Sequence, residues 1–331
     1  MSDSSKRVFK IFGLPVIAVY IIWFSYMFIS ENWHVFTEYF YMTITMMFGS
    51  FVAGASSEGG GAVAFPVMTL LFDIHPKEAR DFSLAIQSIG MTAASLWIIA
   101  RKVKVNKEYL KFGLVGGTLG IILGTYFVAP YTAPAYAKML FVSFWLSFGI
   151  TLYIVNRNTK RFVREELPDL STYQQFELLF IALVGGVLSA ILGNGVDICT
   201  FAFITMKYNL SEKIATPTSV MLMAANAVVG FLLHQFVLQD IQPVVYNYWM
   251  VSIPVVMLGA PFGAYMISNA QRMHIVNFLC GIIVIQFIGA MLIIRPTGPL
   301  LYFSLASFLL GVVLFFLLTR SARAEQAVLE E

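Results

Sequence analysis

Charged residues are scarce in this 331-residue sequence, at 12% of the chain, whereas hydrophobic residues make up 59% and the mean hydropathy is +0.79. A soluble domain carries roughly 25% charged residues, so this chain lacks the charge to cover a water-facing surface. The net charge is only +3. The basic residues stand in short segments between apolar runs, which indicates membrane orientation and not nucleic-acid binding. A soluble domain and a nucleic-acid partner are therefore excluded.

Cysteines and recognisable catalytic motifs are also few or missing. The two cysteines, Cys199 and Cys280, stand in apolar segments without a CxxC pair, so we interpret them as small core residues and expect no disulfide framework. The sequence contains no HExxH, GxSxG or Walker A pattern and no cluster of metal ligands. We therefore expect no enzyme, no cofactor and no metal site, and ATP-driven transport by this chain is disfavoured.

Long apolar runs make up most of the sequence instead. A helix of about 20 apolar residues crosses about 30 Å of hydrocarbon. The first run follows Lys6, Arg7 and Lys10 and is longer than the core of a signal peptide, so we interpret it as a retained first helix. The pattern predicts an all-α polytopic membrane protein. The predicted segments are 11–29, 37–55, 61–73, 81–100, 109–129, 137–156, 175–192, 196–207, 215–237, 246–268, 273–294 and 300–319.

Two glycine-containing breaks interrupt this series, at Ser56–Gly61 and Gly193–Gly195. The segments that follow them, 61–73 and 196–207, have only 13 and 12 residues. At about 1.5 Å per residue, neither can cross the bilayer alone. Each break therefore belongs either to a broken spanning helix or to a re-entrant hairpin.

The distribution of basic residues favours two hairpins. If both return to the side from which they came, and the N-terminus is inside, then the basic loops near 101–107 and 157–164 are cytoplasmic. Segments 30–36 and 238–245, which contain no Lys or Arg, are then external. The exceptions to this distribution are Lys77, Arg80, Lys138 and Arg295.

An internal repeat occurs at an ungapped offset of 136 residues. From residue 49 onward, a glycine break is followed by a short helix, a basic turn and a Ser-containing helix, and the same order recurs from residue 185 onward. If each repeat holds one hairpin and three spans, adjacent repeats begin on opposite faces and have inverted topology, with one extra helix at each end of the chain. The predicted units are 1–36 (N-terminal helix and external loop), 37–156 (repeat 1), 157–174 (cytoplasmic linker), 175–294 (repeat 2) and 295–331 (C-terminal helix and cytoplasmic tail).

The glycine breaks are the strongest candidates for a binding site. Non-helical backbone at membrane depth is tolerated only where protein or a water-filled cavity satisfies it. A short helix that starts at such a break directs free N–H groups and the positive end of its dipole toward it, which suits an anion. The alternative is that the glycines only permit tight helix crossing. The substrate-binding candidates at the breaks are Ser57, Gly59, Gly60, Gly61, Asn194 and Gly195.

Two acids, Glu58 and Asp197, stand at these breaks inside apolar sequence. Intramembrane carboxyl groups usually face a cavity or a partner, so both are candidates for coupling to a proton or a cation. The alternative for both is helix capping. Hydroxyl and amide groups in the helix after each break could donate to substrate oxygens or to neighbouring helices. Those substrate-binding candidates are Ser83, Gln87, Thr218 and Ser219.

The sequence of residues 54–66, Gly-Ala-Ser-Ser-Glu-Gly-Gly-Gly-Ala-Val-Ala-Phe-Pro, resembles the sulfite exporter TauE/SafE family. The turn that begins at His75, the following Phe82-Ser83-Leu84 and the second copy ending Thr218-Ser219-Val220 fit that family too, and the resemblance covers about 40–294. It implies transport of sulfite, sulfonates or related small organic anions across the bacterial inner membrane.

Two positions depart from the pattern of that family. It usually has a hydrophobic residue or glycine where Glu58 stands, and it usually keeps several glycines where this sequence has Gly195-Val196-Asp197. These departures leave the substrate and the coupling ion open.

We therefore predict a secondary transporter, embedded in the lipid bilayer, that binds a small anion at the two breaks and uses a proton or cation gradient. One alternative is a carrier of another small organic anion, such as a carboxylate. Others are an intramembrane enzyme that uses Glu58 and Asp197 as a catalytic pair, and a non-transporting assembly or receptor protein. The anion, the direction of transport and the oligomeric state stay open at this stage.

Overall fold

The computed structural model describes residues 3–60, 63–64, 67–157, 163–167 and 170–330, without the side chains of Leu70 and 321–330. Over these residues the protein is helical and contains no named strand. A π-helical turn at Val67–Leu71 precedes α3, and another at Leu233–Leu238 extends α8. The helices are α1 (Asp3–Ile29), α2 (Phe40–Ala55), α3 (Pro76–Ala100), α4 (Lys107–Phe127), α5 (Pro134–Arg157), α6 (Thr172–Leu192), α7 (Val196–Lys207), α8 (Glu212–Leu232), α9 (Pro243–Asn269), α10 (Arg272–Ile294) and α11 (Gly298–Glu330).

In the part of the chain that the structure describes, nine helices are long and apolar enough to cross a membrane. Helices α2 and α7 are shorter, with 16 and 12 residues. Large apolar side chains such as Ile22, Ile29 and Phe48 face outward, whereas polar side chains such as Ser83 and Asn194 are buried. This inside-out arrangement suits a lipid environment. The protein is a multi-pass, all-α membrane protein, as predicted.

Local signals in the sequence fix several helix ends. Helix α3 starts with Pro76 at its first position, and the His75 side chain accepts a hydrogen bond from Lys77 N at 3.2 Å. Helix α4 is capped by Asn106, whose side chain accepts from Tyr109 N at 2.8 Å. Helix α6 begins with a capping box between Ser171 and Gln174.

Glycines bring two pairs of helices into backbone contact. A Cβ at Gly54 of α2 would lie 1.8 Å from the carbonyl oxygen of Ala260 in α9, and one at Gly116 of α4 would lie 2.2 Å from that of Leu179 in α6. No side chain fits at such distances. Gly116 and Gly120 of α4 therefore form a surface that packs against α6, as small residues in membrane helices commonly do.

Each of the two short segments folds back along the helix that precedes it. Lys207, at the end of α7, forms an ion pair with Glu177 in the second turn of α6. Near the other break, the rings of Tyr41, at the start of α2, and Phe72 lie 4.5 Å apart. The turns between these segments and their preceding helices, which we call tip 1 (56–60) and tip 2 (193–195), are buried in the protein.

The two ends of the helix bundle differ in their charged groups. At the basic end, Arg7 Nη2 donates to Ile99 O at 3.2 Å and Lys104 pairs with Glu165 at 3.1 Å, beside a cavity of about 700 Å³. At the opposite end, a cavity of about 580 Å³ is lined by groups that include Lys77 and Asp240.

Candidate functional site

Glycine conformations shape both tips. Gly59 in tip 1 has a φ of +66°, and Gly193 and Gly195 in tip 2 have φ of +81° and +155°. Residues that carry a Cβ rarely adopt these φ values. Gly193 ends α6, and Gly195 precedes the first residue of α7. Gly61, also predicted to bind substrate, lies outside the described residues.

The two tips contact each other directly. Asn194 Nδ2 donates a 2.8 Å hydrogen bond to the backbone oxygen of Glu58. A Cβ at Gly59 would lie 2.9 Å from Asp197 Oδ2, so the carboxylate at the start of α7 packs against the backbone of tip 1. The breaks, 136 residues apart in sequence, therefore form one buried polar cluster.

Gln87 of α3 bridges both tips. Its Oε1 accepts from Gly60 N at 3.1 Å, and its Nε2 donates to Gly193 O at 2.8 Å. Ser83, one turn earlier, donates from Oγ to the same Gly193 oxygen at 3.2 Å. Both side chains are fully or almost fully buried. The structure thus brings the predicted residues Ser83 and Gln87 to the tips.

The Glu58 carboxylate lies on the side of tip 1 that faces α5 and α10. Trp145 Nε1 donates to Glu58 Oε1 at 2.9 Å, and Gln286 Nε2 donates to Oε2. Glu58 is fully buried. Among the described residues, these donors are side chains from two helices distant in sequence, α5 and α10. Sequence reasoning missed Trp145 and Gln286, although a glutamine inside the apolar segment 273–294 was an available signal.

Asp197 has a different environment in the first turn of α7. Its Oδ1 accepts a 3.2 Å hydrogen bond from Gly195 N, which is a local capping contact. Its Oδ2 is buried and has no hydrogen-bond partner among the described residues. A buried carboxylate oxygen without a donor is energetically costly. This oxygen is therefore an unsatisfied buried acceptor within the cluster.

The hydrogen bonds of Thr218 and Ser219 among the described residues lead to other parts of the protein than the tips. Thr218 Oγ1 donates to Ile214 O at 2.6 Å and accepts from Asn106 N at 3.0 Å, at the start of α4. Ser219 Oγ donates to Thr216 O at 2.8 Å within α8. In this conformation the Thr218 hydroxyl links α8 to the start of α4, and the Ser219 hydroxyl bonds within α8.

A small cavity lies beside tip 1 among the described residues. This cavity of about 10 Å³ lies beside Gly60, Gln87 and Met46, which is room for about one water molecule. Ser57 is buried at tip 1, and its Oγ has no hydrogen-bond partner in the described part of the chain.

A multi-pass membrane protein whose two non-helical breaks meet in a buried polar cluster has the architecture of a membrane transporter. The sequence model of the Sulfite exporter TauE/SafE family matches residues 42–275, more than two thirds of the chain. The chain belongs to that family, and the resemblance seen in the sequence is confirmed. The family is one of transporters of sulfur anions. Comparisons with curated proteins and with solved structures gave no match.

Proposed function

We propose that this protein is a secondary transporter that moves sulfite, organosulfonates or related small sulfur anions across the inner membrane. In this proposal the two tips form the substrate site, and alternating access opens it to one side at a time. The observation that carries the proposal is the Gln87 bridge, because it ties two glycine breaks at membrane depth to one another. A carrier of small carboxylates would use the same donors and is the alternative that the transport assay must separate.

An anion would bind by replacing the side-chain oxygen of Gln87. The Gly60 N–H now donates to Gln87 Oε1, so the amide oxygen stands where a substrate oxygen would accept. The Ser57 hydroxyl is a second donor at the same tip, and the N-terminus of α7 supplies further N–H groups and a positive dipole end. Substrate binding would release tip 1 from α3, which links occupancy of the site to movement of the hairpin.

Inverted repeats are supported by the pattern of helix contacts. Helix α2 packs on α9, and α6 packs on α4. If the short segment after each tip is counted as the second element of its half, the first helix of each half packs on the fourth helix of the other half. The third helices of the two halves, α3 and α8, pack on one another. A two-fold axis that exchanges 37–156 with 175–294 would generate these contacts. The proposed outer units are 1–36 and 295–331.

Re-entrant hairpins are supported by the Lys207–Glu177 ion pair and the Tyr41–Phe72 contact. Each hairpin returns to the end of the bundle where it began. With the basic end inside, this arrangement makes 101–108 and the linker 157–174 cytoplasmic. Part of that linker, 158–162 and 168–169, lies outside the described residues.

Coupling is assigned to the two buried acids. Asp197 Oδ2 has no donor among the described residues, so a proton or a cation would satisfy it. Glu58 is held by Trp145 and Gln286, and it connects tip 1 to α5 and α10. The two carboxylates have separate partners and do not converge on one scissile group, so we do not propose a catalytic pair.

Transport by the purified protein tests the function. Proteoliposomes are loaded with sulfite, taurine, ethanesulfonate or acetate, and flux is followed with and without a pH gradient. We expect flux of at least one sulfur anion that exceeds acetate flux and responds to the gradient. Flux of acetate alone would identify a carboxylate carrier. Absence of flux for every anion in a folded protein would refute the transporter proposal.

A further inference from the structure

A second charged cluster lies outside the tips, in the cavity of about 580 Å³ at the end opposite the basic loops. The cavity lies between the start of α3, the ends of α4 and α6, and the π-helical turn after α8. The charged or titratable side chains that line it are His75, Lys77, Arg80, His234 and Asp240. None of these side chains belongs to the tip cluster described above.

Arg80 is a buried part of this cavity. It is 8% exposed, and its Nε and Nη2 both donate to Asp81 Oδ1, at 2.9 and 2.6 Å. Its backbone oxygen lies 3.0 Å from the position of a Cβ on Gly193. Leu192, the last residue of α6, also lines the cavity. The inner wall of the cavity is therefore adjacent to tip 2.

Asp240 contacts both Lys77 and His234 in this cavity. Its Oδ2 lies 2.9 Å from Lys77 Nζ, and its Oδ1 lies 2.7 Å from Nδ1 of His234. His234 is 2% exposed, and its Nε2 has no hydrogen-bond partner among the described residues. Burial acts to raise the pKa of Asp240, but hydrogen bonds from His234 and Lys77 outweigh it and lower that pKa. Asp240 is therefore a firmly charged carboxylate held by two donors.

We propose that this cavity is a second anion-binding site, on the access path to tip 2, where an oxyanion of the substrate replaces the Asp240 carboxylate between Lys77 and His234. The inference rests on the proposed transport function. A sulfite or sulfonate group presents pairs of oxygens much as a carboxylate does, so the same two donors can hold it. Arg80 keeps its own counterion, Asp81. Lys77 has only Asp240 as an ion-pair partner in the described structure, which makes Asp240 the group to displace.

Two substitutions test the proposal, one at each partner of the Lys77–Asp240 ion pair, and they change the net charge in opposite directions. Sulfite flux is measured against sulfite concentration for Asp240→Asn and Lys77→Gln in phosphatidylcholine liposomes, with sulfite supplied on the face that carries residues 239–242. Removal of the competing carboxylate should lower KM by about threefold or more, because an ion pair that is partly exposed to solvent contributes only modestly. Lys77→Gln should raise KM by a similar factor. Glu38→Gln, an exposed acid outside this cavity, should leave KM unchanged.

The two variants also distinguish a role of this ion pair in anion binding from a purely structural role. A purely structural ion pair predicts that both variants behave alike, since each breaks the same contact. Equal shifts of KM in one direction, or unchanged KM for both beside an active wild type, would overturn the second site. If the wild-type protein moves no anion at all, the transport function itself fails. Supply of sulfite on the other face should leave KM unaffected by either substitution.

Discussion

Asn194 donates its side-chain amide to the backbone oxygen of Glu58, and the two residues are 136 positions apart. This separation equals the offset of the internal repeat, so Glu58 and Asn194 occupy equivalent positions in the two halves. A residue can touch its own counterpart only near the axis that relates the halves. The contact therefore supports placing the tips at the proposed centre of symmetry, where alternating access needs its binding site.

Loss of the Gln87 bridge should impair transport without preventing membrane insertion. Gln87→Ala leaves Gly60 N–H without its partner and Gly193 O with only the Ser83 hydroxyl, and an unsatisfied buried group costs about 1–3 kcal/mol. We expect flux to fall by about tenfold or more. Ser95→Ala on the same helix removes only a local bond to Met91 O and should keep normal flux. Normal flux for Gln87→Ala would show that the bridge is dispensable.

Substitutions at Gly59 and Gly60 should differ in their effects. A Cβ at Gly59 would lie 2.5 Å from Gln87 Oε1 in a backbone with φ of +66°, so Gly59→Ala should abolish flux. A Cβ at Gly60 would meet its neighbours at 3.4 Å or more. Gly60→Ala should therefore keep most flux, whereas Gly60→Leu should remove it by blocking access of a substrate to the backbone N–H groups. Expression and size-exclusion profiles control for folding.

Normal transport by a well-inserted Gly60→Leu protein would contradict the binding role. Tip 1 would then be a packing device only. Equal loss in Gly59→Ala and Gly60→Ala would also contradict the geometry, because only the first position clashes.

Glu58→Gln tests coupling. If Glu58 carries the coupling proton, the variant should bind substrate but lose the dependence of flux on pH. Trp145 and Gln286 contact the carboxylate, and an amide of the same shape can keep one of these contacts, so folding should survive. The measurement is flux against pH for wild type and variant, beside sulfite binding at each pH. Identical flux profiles would leave Asp197 as the coupling candidate, with Asp197→Asn as the next variant.

Topology can be tested by cysteine labelling from each side. In a Cys199→Ala, Cys280→Ala background, Lys104→Cys and Glu166→Cys should react with a membrane-impermeant maleimide only from the cytoplasmic face. Lys104 Nζ lies 3.3 Å from Glu166 Oε1, so these two sites must share a face. Gln242→Cys should react only from outside. External labelling of the first two sites would reject the proposed orientation.

The sequence predicted the bounds of helices better than it predicted which side chains contact one another. The bounds 196–207 for α7 match the structure because glycine and a basic turn limit that helix. Ser83 and Gln87 were chosen because they share a helix face, and both contact tip 2. Trp145 and Gln286 were missed because nothing in a single sequence says which distant helices contact Glu58.

The second half also lacks an equivalent of the Gln87 bridge. The residue 136 positions after Gln87 is Met223, which carries no amide. The Ser83 counterpart, Ser219, donates a hydrogen bond to Thr216 O within α8. An alignment of repeats relates positions and does not show which chemical groups are shared, so the assignment of Thr218 and Ser219 to the site stays a prediction.

The packing of α2 on α9 has a consequence for how the protein is made. Helix α2 ends at Ala55, and the surface that receives Gly54 begins with α9 at Pro243, so most of the chain must be synthesised before the two meet. Until then Gly54 lacks the α9 surface against which it packs. A chain that stops before α9 would leave this face of α2 without its partner helix, so α2 can reach its final packing only after α9 has been made.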